Sequence, residues 1–172
     1  MPEIERLGSG WRGGLFLIIV AFVVVLDQIS KLWVRSNLEL FQTVPIIGCL
    51  SLTYVRNTGS AFGLFANQAF LLALVAIVGL VAVLLLYRYL SRSNILSVAA
   101  LGLIFGGALG NLIDRLRFGY VTDFVDVLLW HDFHWPAFNV ADSAITVGSI
   151  MLIIFIFSAF RKGDGRSSGA GS

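Results

Sequence analysis

The amino-acid sequence predicts an all-α membrane protein with four transmembrane helices, a small β-hairpin and a loop on the outer face. The composition is 58% hydrophobic, with a mean hydropathy of +0.89, whereas soluble domains are roughly half apolar. Four apolar stretches each reach the ~20 residues that a helix needs to cross a ~30 Å hydrocarbon core. They lie at about residues 13–34, 70–90, 95–112 and 138–160. We expect one domain over residues 1–162 and a flexible tail, rich in Gly and Ser, at residues 163–172.

The first apolar stretch has an alternative interpretation as a cleaved signal peptide, because Arg6 and Arg12 precede it. However, no small-x-small cleavage site follows, and the apolar character resumes after Lys31. We therefore expect this helix to be retained.

The first outer connection shows the pattern of a β-hairpin. Residues 50–54 alternate apolar with hydroxyl-bearing side chains, and this period of two is typical of a strand. Gly48 and Cys49 can turn the chain back onto residues 43–47. We interpret Cys49, the only cysteine, as a small buried apolar residue that forms no disulfide within the chain.

The other connections also have recognisable patterns. Residues 118–137 mix acidic with aromatic side chains and are expected to form a loop at the membrane interface. The short connection at residues 87–94 makes helices two and three neighbours. Gly102, Gly106 and Gly110 recur every four residues on helix three, so another backbone can approach that face closely.

Basic residues suggest how the protein is oriented. The net charge of only +2 gives no support for a nucleic-acid partner. Seven basic residues fall on the side of both termini and five on the other side, so the positive-inside rule places both termini in the cytoplasm. The first group is Arg6, Arg12, Arg88, Arg92, Arg161, Lys162 and Arg166; the second is Lys31, Arg35, Arg56, Arg115 and Arg117.

Polar residues embedded in the apolar stretches converge at one end of the predicted bundle. An ionised side chain inside a membrane costs about a few kcal/mol or more, so such residues usually face the bundle interior and mark a working site. Threading the four helices alternately through the bilayer brings all of them to the outer side. They are Asp27, Lys31, Asn111, Asp114, Arg115, Asn139 and Asp142.

Most of these residues also have a purely structural interpretation. Asp27 and Lys31 are four residues apart on one helical face and can pair with each other. Arg115 can be an interface anchor or a partner for Asp114. Asp142 can cap a helix N-terminus, and Asp123, in the second outer connection, can be an exposed loop acid.

Histidines raise the possibility of a metal site. His131 and His134 have a His-x-x-His spacing, with Asp126 and Asp132 nearby. The signal is weak because the pair lies in a loop without a fixed helical phase. We expect no metal and no cofactor.

Four sequence blocks carry a family resemblance. They are DQISK at residues 27–31, RNTGSAFG at 56–63, GGALGNLIDR at 106–115 with GYVTDF at 119–124, and PAFNVADS at 136–143. In this order, with four helices, they resemble the lipoprotein signal peptidase (signal peptidase II) family over residues 15–160. Ser60 stands where alanine is usual and Thr122 where an aliphatic residue is usual; we expect neither to touch a charged position.

The resemblance implies an aspartic endopeptidase whose catalytic pair is Asp123 and Asp142. Two carboxylates held close together cannot both ionise and come to share one proton, which suits them to act as base and acid. The implied substrate is a bacterial prolipoprotein, cleaved on the N-terminal side of a cysteine that carries diacylglycerol. Positions expected to bind substrate or support the site are Asp27, Lys31, Asn57, Gly59, Asn111, Asp114, Arg115 and Asn139.

The resemblance also implies a location and partners. The protein would be a multi-pass protein of the bacterial inner membrane, with its site near the periplasmic face. It would contact membrane lipid, act as a monomer by default and bind inhibitors of the globomycin type.

Two other classes of function compete with proteolysis. A small ion-coupled transporter could use the intramembrane charges as a path, although the inner halves of the helices are almost wholly apolar. A non-catalytic lipid-binding or assembly protein is the third hypothesis.

Overall fold

The computed structural model describes residues 2–59, 68–90, 94–131 and 133–167. Its elements are α1 (Pro2–Asn37), β1 (Thr43–Ile47), β2 (Leu50–Asn57), α2 (Ala69–Leu90), α3 (Ile95–Phe118), β3 (Val121–Trp130), β4 (Phe133–Phe138) and α4 (Val140–Ser167). Each helix contains a segment long and apolar enough to cross a membrane: Trp11–Asn37, Ala69–Leu90, Ile95–Phe118 and Val140–Ala159. The four-helix membrane fold is confirmed.

The ends of the helices differ from the sequence-based boundaries in ways that affect the site. Helix α3 continues six residues past Leu112, and this extension carries the buried Asp114. It ends at Gly119, whose φ of 75° is readily available to glycine and whose N–H donates to the Arg115 carbonyl over 3.0 Å. Helix α4 continues to Ser167, into the predicted tail. Residues 168–172 lie outside the described part of the chain.

The four strands form one antiparallel sheet in the order β1-β2-β3-β4. The predicted hairpin is confirmed as β1 and β2, with a turn at Gly48 and Cys49. Cys49 is exposed, so its interpretation as a buried residue is wrong. It occupies the turn itself, where its carbonyl accepts from the Leu128 N–H of β3 while the residue stays exposed.

The predicted interfacial loop forms strands β3 and β4 instead. Its pattern conceals the strands because the first four residues of β3 are all buried. A strand covered on both faces shows no alternation of apolar and polar residues. Strand β3 lies inside the sheet, between β2 and β4, and it carries Asp123.

Helix α3 is the centre of the bundle and packs against each of the other three helices. Gly102 and Gly106 face Ile19 and Val23 of α1, while Gly107 and Gly148 lie at the contact of α3 with α4. The predicted close approach at the glycine face is therefore confirmed. The neighbouring positions of α2 and α3 are confirmed as well.

We expect Gly107→Ala to destabilise the bundle, because the added Cβ would collide with the backbone carbonyl of Ala141. Overpacking of this kind costs about 1–3 kcal/mol. The control is Gly79→Ala on α2, where a Cβ meets nothing within 4 Å. The apparent melting temperature in detergent should fall for Gly107→Ala alone. Equal melting temperatures for the two variants would contradict this packing.

Candidate active site

Two carboxylates meet at a cavity of about 570 Å³ at the end of the bundle next to the sheet. Asp123 comes from β3 and Asp142 from the first turn of α4. Asn57, Asn111 and Arg115 line the same cavity. Its remaining wall is mostly apolar and includes residues of β4 and α4. A cavity with apolar walls and a few convergent polar groups has the character of a binding site.

Asp123 is almost completely buried, with 2% of its surface exposed. Its Oδ2 accepts a hydrogen bond from the Asn57 amide at 2.9 Å, and its Oδ1 accepts one from the Asn139 amide at 2.7 Å. Burial raises the pKa of Asp123 to about 7, and the nearby charge of Asp142 acts in the same direction. The carboxyl group of Asp123 can therefore hold a proton at neutral pH.

Asp142 occupies the third position of α4 and forms a reciprocal cap with Asn139. The Asn139 N–H donates to Asp142 Oδ2 at 3.2 Å, and the Asp142 N–H donates to Asn139 Oδ1 at 2.9 Å. This is the geometry of a capping box. The capping role considered for Asp142 is thus present, and the same carboxylate also faces the cavity. A helix N-terminus favours a negatively charged side chain.

The amides around the two carboxylates are held in one orientation by partners that can only donate hydrogen bonds. Lys31 Nζ donates to Asn111 Oδ1 at 2.9 Å, which directs the Asn111 amide NH₂ to Asp142 Oδ1 at 2.8 Å. The Gly59 N–H donates to Asn57 Oδ1 at 3.0 Å, which directs the Asn57 NH₂ to Asp123. Each of the four carboxylate oxygens thereby accepts one hydrogen bond from a fixed donor.

A buried cluster of charges lies behind the cavity and joins the elements that carry the two carboxylates. Lys31 Nζ lies 2.9 Å from Asp27 and 3.4 Å from Asp114, and all three side chains are fully buried. Asp27 accepts from the Ala141 N–H at 3.0 Å, which fixes the start of α4. Asp114 accepts from the Thr122 N–H at 2.9 Å, which fixes β3. The predicted Asp27–Lys31 pair is therefore one part of a larger cluster.

Three residues of this region were not among the predicted site residues. Thr122 is fully buried, and its hydroxyl accepts from Arg35 at 2.9 Å, so the expectation that it touches no charged position is wrong. Arg35 also lies 3.5 Å from Asp114. The Gln28 amide donates to Asp27, Asp114 and the Gly110 carbonyl. Gln28 belongs to the first sequence block, DQISK, and its place between Asp27 and Lys31 is the sequence signal that could have identified it as a site residue.

A hydrogen bond between Arg115 and Gly59 joins helix α3 to the second sequence block, residues 56–63, beside the cavity. Arg115 Nη2 donates to the Gly59 carbonyl at 3.2 Å, and Gly59 in turn holds Asn57. Arg115 therefore does more than anchor at an interface. The rest of this block, residues 60–63, lies outside the described residues, and so does Ser60 with its departure from the usual alanine.

The histidines lie away from the two carboxylates. His134 Nδ1 contacts Asp126 Oδ1 at 2.6 Å, while the Thr53 hydroxyl donates to Asp126 Oδ2 at 2.8 Å. Within the described parts of the chain, no three His, Cys, Asp or Glu side chains are placed to hold a metal ion. Asp132 is outside those parts.

Fold and site together define a multi-pass membrane protein with a buried two-carboxylate site where its helices meet a small sheet. The profile of the family Signal peptidase (SPase) II matches residues 19–158. The chain belongs to the signal peptidase II family and is therefore a membrane-spanning protease of lipoprotein processing.

Curated relatives agree with this assignment. The lipoprotein signal peptidase of Geobacter sulfurreducens is 46% identical over 152 residues, which cover 86% of this chain and 94% of the relative. That of Halothermothrix orenii is 40% identical, with 86% and 98% covered. That of Pseudomonas paraeruginosa is 41% identical, with 95% and 98% covered.

Two solved structures share the fold. One, described as a bacterial membrane enzyme structure obtained by the in meso method at 2.3 Å resolution, superposes with a TM-score of 0.75 at 33% identity. It covers 84% of this chain and 88% of its own. The second, obtained in the same way at 1.9 Å, has a TM-score of 0.71 at 34% identity, with 83% and 92% covered. Together with the relatives, these likenesses support a multi-pass bacterial membrane protein.

Proposed function

We propose that this chain is an aspartic endopeptidase that removes signal peptides from bacterial prolipoproteins. The bond hydrolysed is the one on the N-terminal side of the diacylglyceryl-modified cysteine. The observation that carries the proposal is the position of Asp123 and Asp142 on one cavity, with all four carboxylate oxygens held by fixed hydrogen-bond donors. Two preorganised carboxylates with different environments supply the base and the acid that water-mediated hydrolysis needs.

We assign the ionised role to Asp142 and the protonated role to Asp123. Asp142 stands at a helix N-terminus, which favours its negative charge. Asp123 is buried beside that charge and has a pKa of about 7. The two aspartates thus have the different environments from which a base and an acid can be assigned.

The reaction then proceeds in two steps. Asp142 takes a proton from water as the water oxygen attacks the carbonyl carbon, and Asp123 gives its proton to the developing oxyanion. A neutral tetrahedral intermediate results. Asp142 next gives its proton to the leaving nitrogen as the C–N bond breaks, and Asp123 recovers its proton from a hydroxyl of the intermediate. Both side chains return to their starting states without a covalent intermediate.

The other polar residues of the cavity suit the peptide and its orientation. The amides of Asn57 and Asn111 line the cavity and can donate and accept hydrogen bonds where water is scarce. Asn139 is fully buried, and its amide holds Asp123 in place. In this proposal Arg115 and Gly59 shape the cavity wall, while Asp27, Lys31 and Asp114 support it from behind. The diacylglyceryl chains stay in lipid or between helices.

We also propose the setting in which the enzyme works. The basic residues favour an inner-membrane protein with both termini in the cytoplasm, and this orientation puts the dyad near the periplasmic face. Residues 1–162 act as one monomeric protease domain in contact with membrane lipid. A cyclic peptide such as globomycin would inhibit the enzyme by occupying the dyad.

The pH dependence follows from the protonated role of Asp123. Raising the pH through about 7 removes its proton and leaves two carboxylates without an acid. We therefore expect kcat/KM to fall about tenfold per pH unit on the basic side of pH ~7. A gel-based cleavage assay in a series of buffers measures this. The assigned roles would be contradicted by a kcat/KM that stays constant well above that pH.

Asn57→Ala should lower kcat/KM by about tenfold to a hundredfold, because a hydrogen bond to a carboxylate contributes about 1.5–3 kcal/mol. It should also move the basic limb of the pH profile upward, since the Asn57 hydrogen bond lowers the pKa of Asp123. Asn37→Ala is the matched control: that amide is exposed, donates to the Trp33 carbonyl and does not line the cavity. Unchanged cleavage by Asn57→Ala would argue against the role of this amide.

A further inference from the structure

A second groove lies on the bundle surface, away from the catalytic cavity, and has a volume of about 510 Å³. One wall is formed by α1 and consists of Val24, Val25, Gln28, Ile29 and Leu32. Arg35, Arg117 and Phe118 line it as well. The stretch from Val24 to Arg35 spans ~16 Å along a helix. The groove is therefore mostly apolar along α1, where Gln28 is its polar side chain and donates to Asp27, Asp114 and the Gly110 carbonyl. It carries two guanidinium groups at the end of the bundle that also carries the catalytic cavity.

Phe118 holds the two arginines near each other. The guanidinium carbon of Arg35 lies 4.5 Å from the centroid of the Phe118 ring, and that of Arg117 lies 5.4 Å from it. Both guanidinium groups therefore lie around the same ring. Planar guanidinium groups are well suited to phosphate.

The balance of charge leaves this end of the groove positive. Arg35 faces Asp114, and Asp114 belongs to the buried cluster with Asp27 and Lys31. The negative charges of Asp27 and Asp114 balance the positive charges of Lys31 and Arg35. Arg117 is exposed, and no carboxylate among the described residues lies within 4 Å of it. Its charge is therefore not balanced by an ion pair with any residue that the structure describes.

We propose that this groove binds one anionic phospholipid, with the phosphate between Arg35 and Arg117 and an acyl chain along Val24, Ile29 and Leu32. The order of chemistry along the groove, apolar and then cationic, is that of a phospholipid read from tail to head. The diacylglyceryl group of a lipoprotein fits less well, because it carries no charge for the arginines to meet. The site is independent of the proposed cleavage reaction.

The test compares lipid binding by the delipidated, detergent-solubilised protein in native mass spectrometry. Dioleoyl phosphatidylglycerol should bind in a one-to-one complex at concentrations where dioleoyl phosphatidylcholine does not. Arg117→Gln should weaken phosphatidylglycerol binding about fivefold, the effect of one basic residue at an anionic lipid surface. Ile29→Trp should also weaken phosphatidylglycerol binding, by filling the apolar part of the groove.

Arg161→Gln is the control, because it removes another exposed arginine outside the groove and should leave both affinities unchanged. Arg117 and Ile29 are exposed residues, so these variants should fold, which retained cleavage activity would verify. Three results would overturn the proposal: equal affinity of the wild type for the two lipids, wild-type phosphatidylglycerol binding by Arg117→Gln, or an equal loss in Arg161→Gln.

Discussion

Replacing either Asp123 or Asp142 by asparagine should reduce the cleavage rate of a diacylglyceryl-modified prolipoprotein by about a thousandfold or more. Asparagine keeps the shape of each side chain but can act neither as the base nor as the acid. In the proposed mechanism the two carboxylates work as one unit, so the double variant should lose little more than either single variant. Single-turnover rates from a gel-shift assay of the purified variants measure these losses.

Asp126→Asn is a suitable control for this experiment. Asp126 lies on the same strand as Asp123 and is also buried, but it contacts His134 and Thr53 outside the cavity. Its cleavage rate should stay within a few fold of wild type, because Asp126 does not line the cavity. If either dyad variant cleaved as fast as the Asp126→Asn protein, the catalytic groups would have to lie elsewhere.

The second large effect is on stability, from Lys31→Met. Lys31 is the buried cation between Asp27 and Asp114, and its loss leaves two buried carboxylates without that partner. Breaking a buried ion pair from one side costs about 3–5 kcal/mol. For a chain of this size we expect a melting temperature lower by on the order of 10 °C. Cleavage should fall too, because Lys31 orients the amide of Asn111.

Two further variants test whether the loss of stability comes from the buried charge of Lys31. Arg88→Met removes an exposed cation from α2 and should leave the melting temperature within about 1 °C. Adding Asp27→Asn to Lys31→Met removes one of the stranded carboxylates and should restore part of the loss. A Lys31→Met protein as stable as the Arg88→Met protein would show that the cluster does not support the fold.

Much of the architecture was predictable because the membrane imposes simple rules. The apolar length of each helix, the turn at Gly48 and Cys49 and the glycine face of α3 follow from hydropathy, period and residue size. Convergence of the polar residues at one end was also predictable, because charges inside a membrane need partners. Asp27, Lys31 and Asp114 do meet there.

The parts that escaped prediction depend on contacts between distant segments. Strands β3 and β4 lack a clear alternation, because β3 lies inside the sheet with its first residues buried. Thr122 looked like a neutral substitution, yet its N–H and hydroxyl bond to Asp114 and Arg35. The sequence also does not show that Asp142 caps α4 and faces the cavity at the same time.

Family membership also weighs against the competing hypotheses. A peptidase family profile covers residues 19–158. This match favours proteolysis over the hypotheses of an ion-coupled transporter and of a non-catalytic assembly protein. The buried charges that suggested an ion path are instead a closed cluster that fixes the starts of β3 and α4.

The most direct test of the account is mass spectrometry of the cleavage products formed in ¹⁸O-labelled water. The account predicts a signal peptide with ¹⁸O in its new terminal carboxylate and a mature protein that begins with the diacylglyceryl-modified cysteine. Neither product should form with the Asp123→Asn/Asp142→Asn protein. Cleavage at another bond, or the same labelled products from the double variant, would contradict the account.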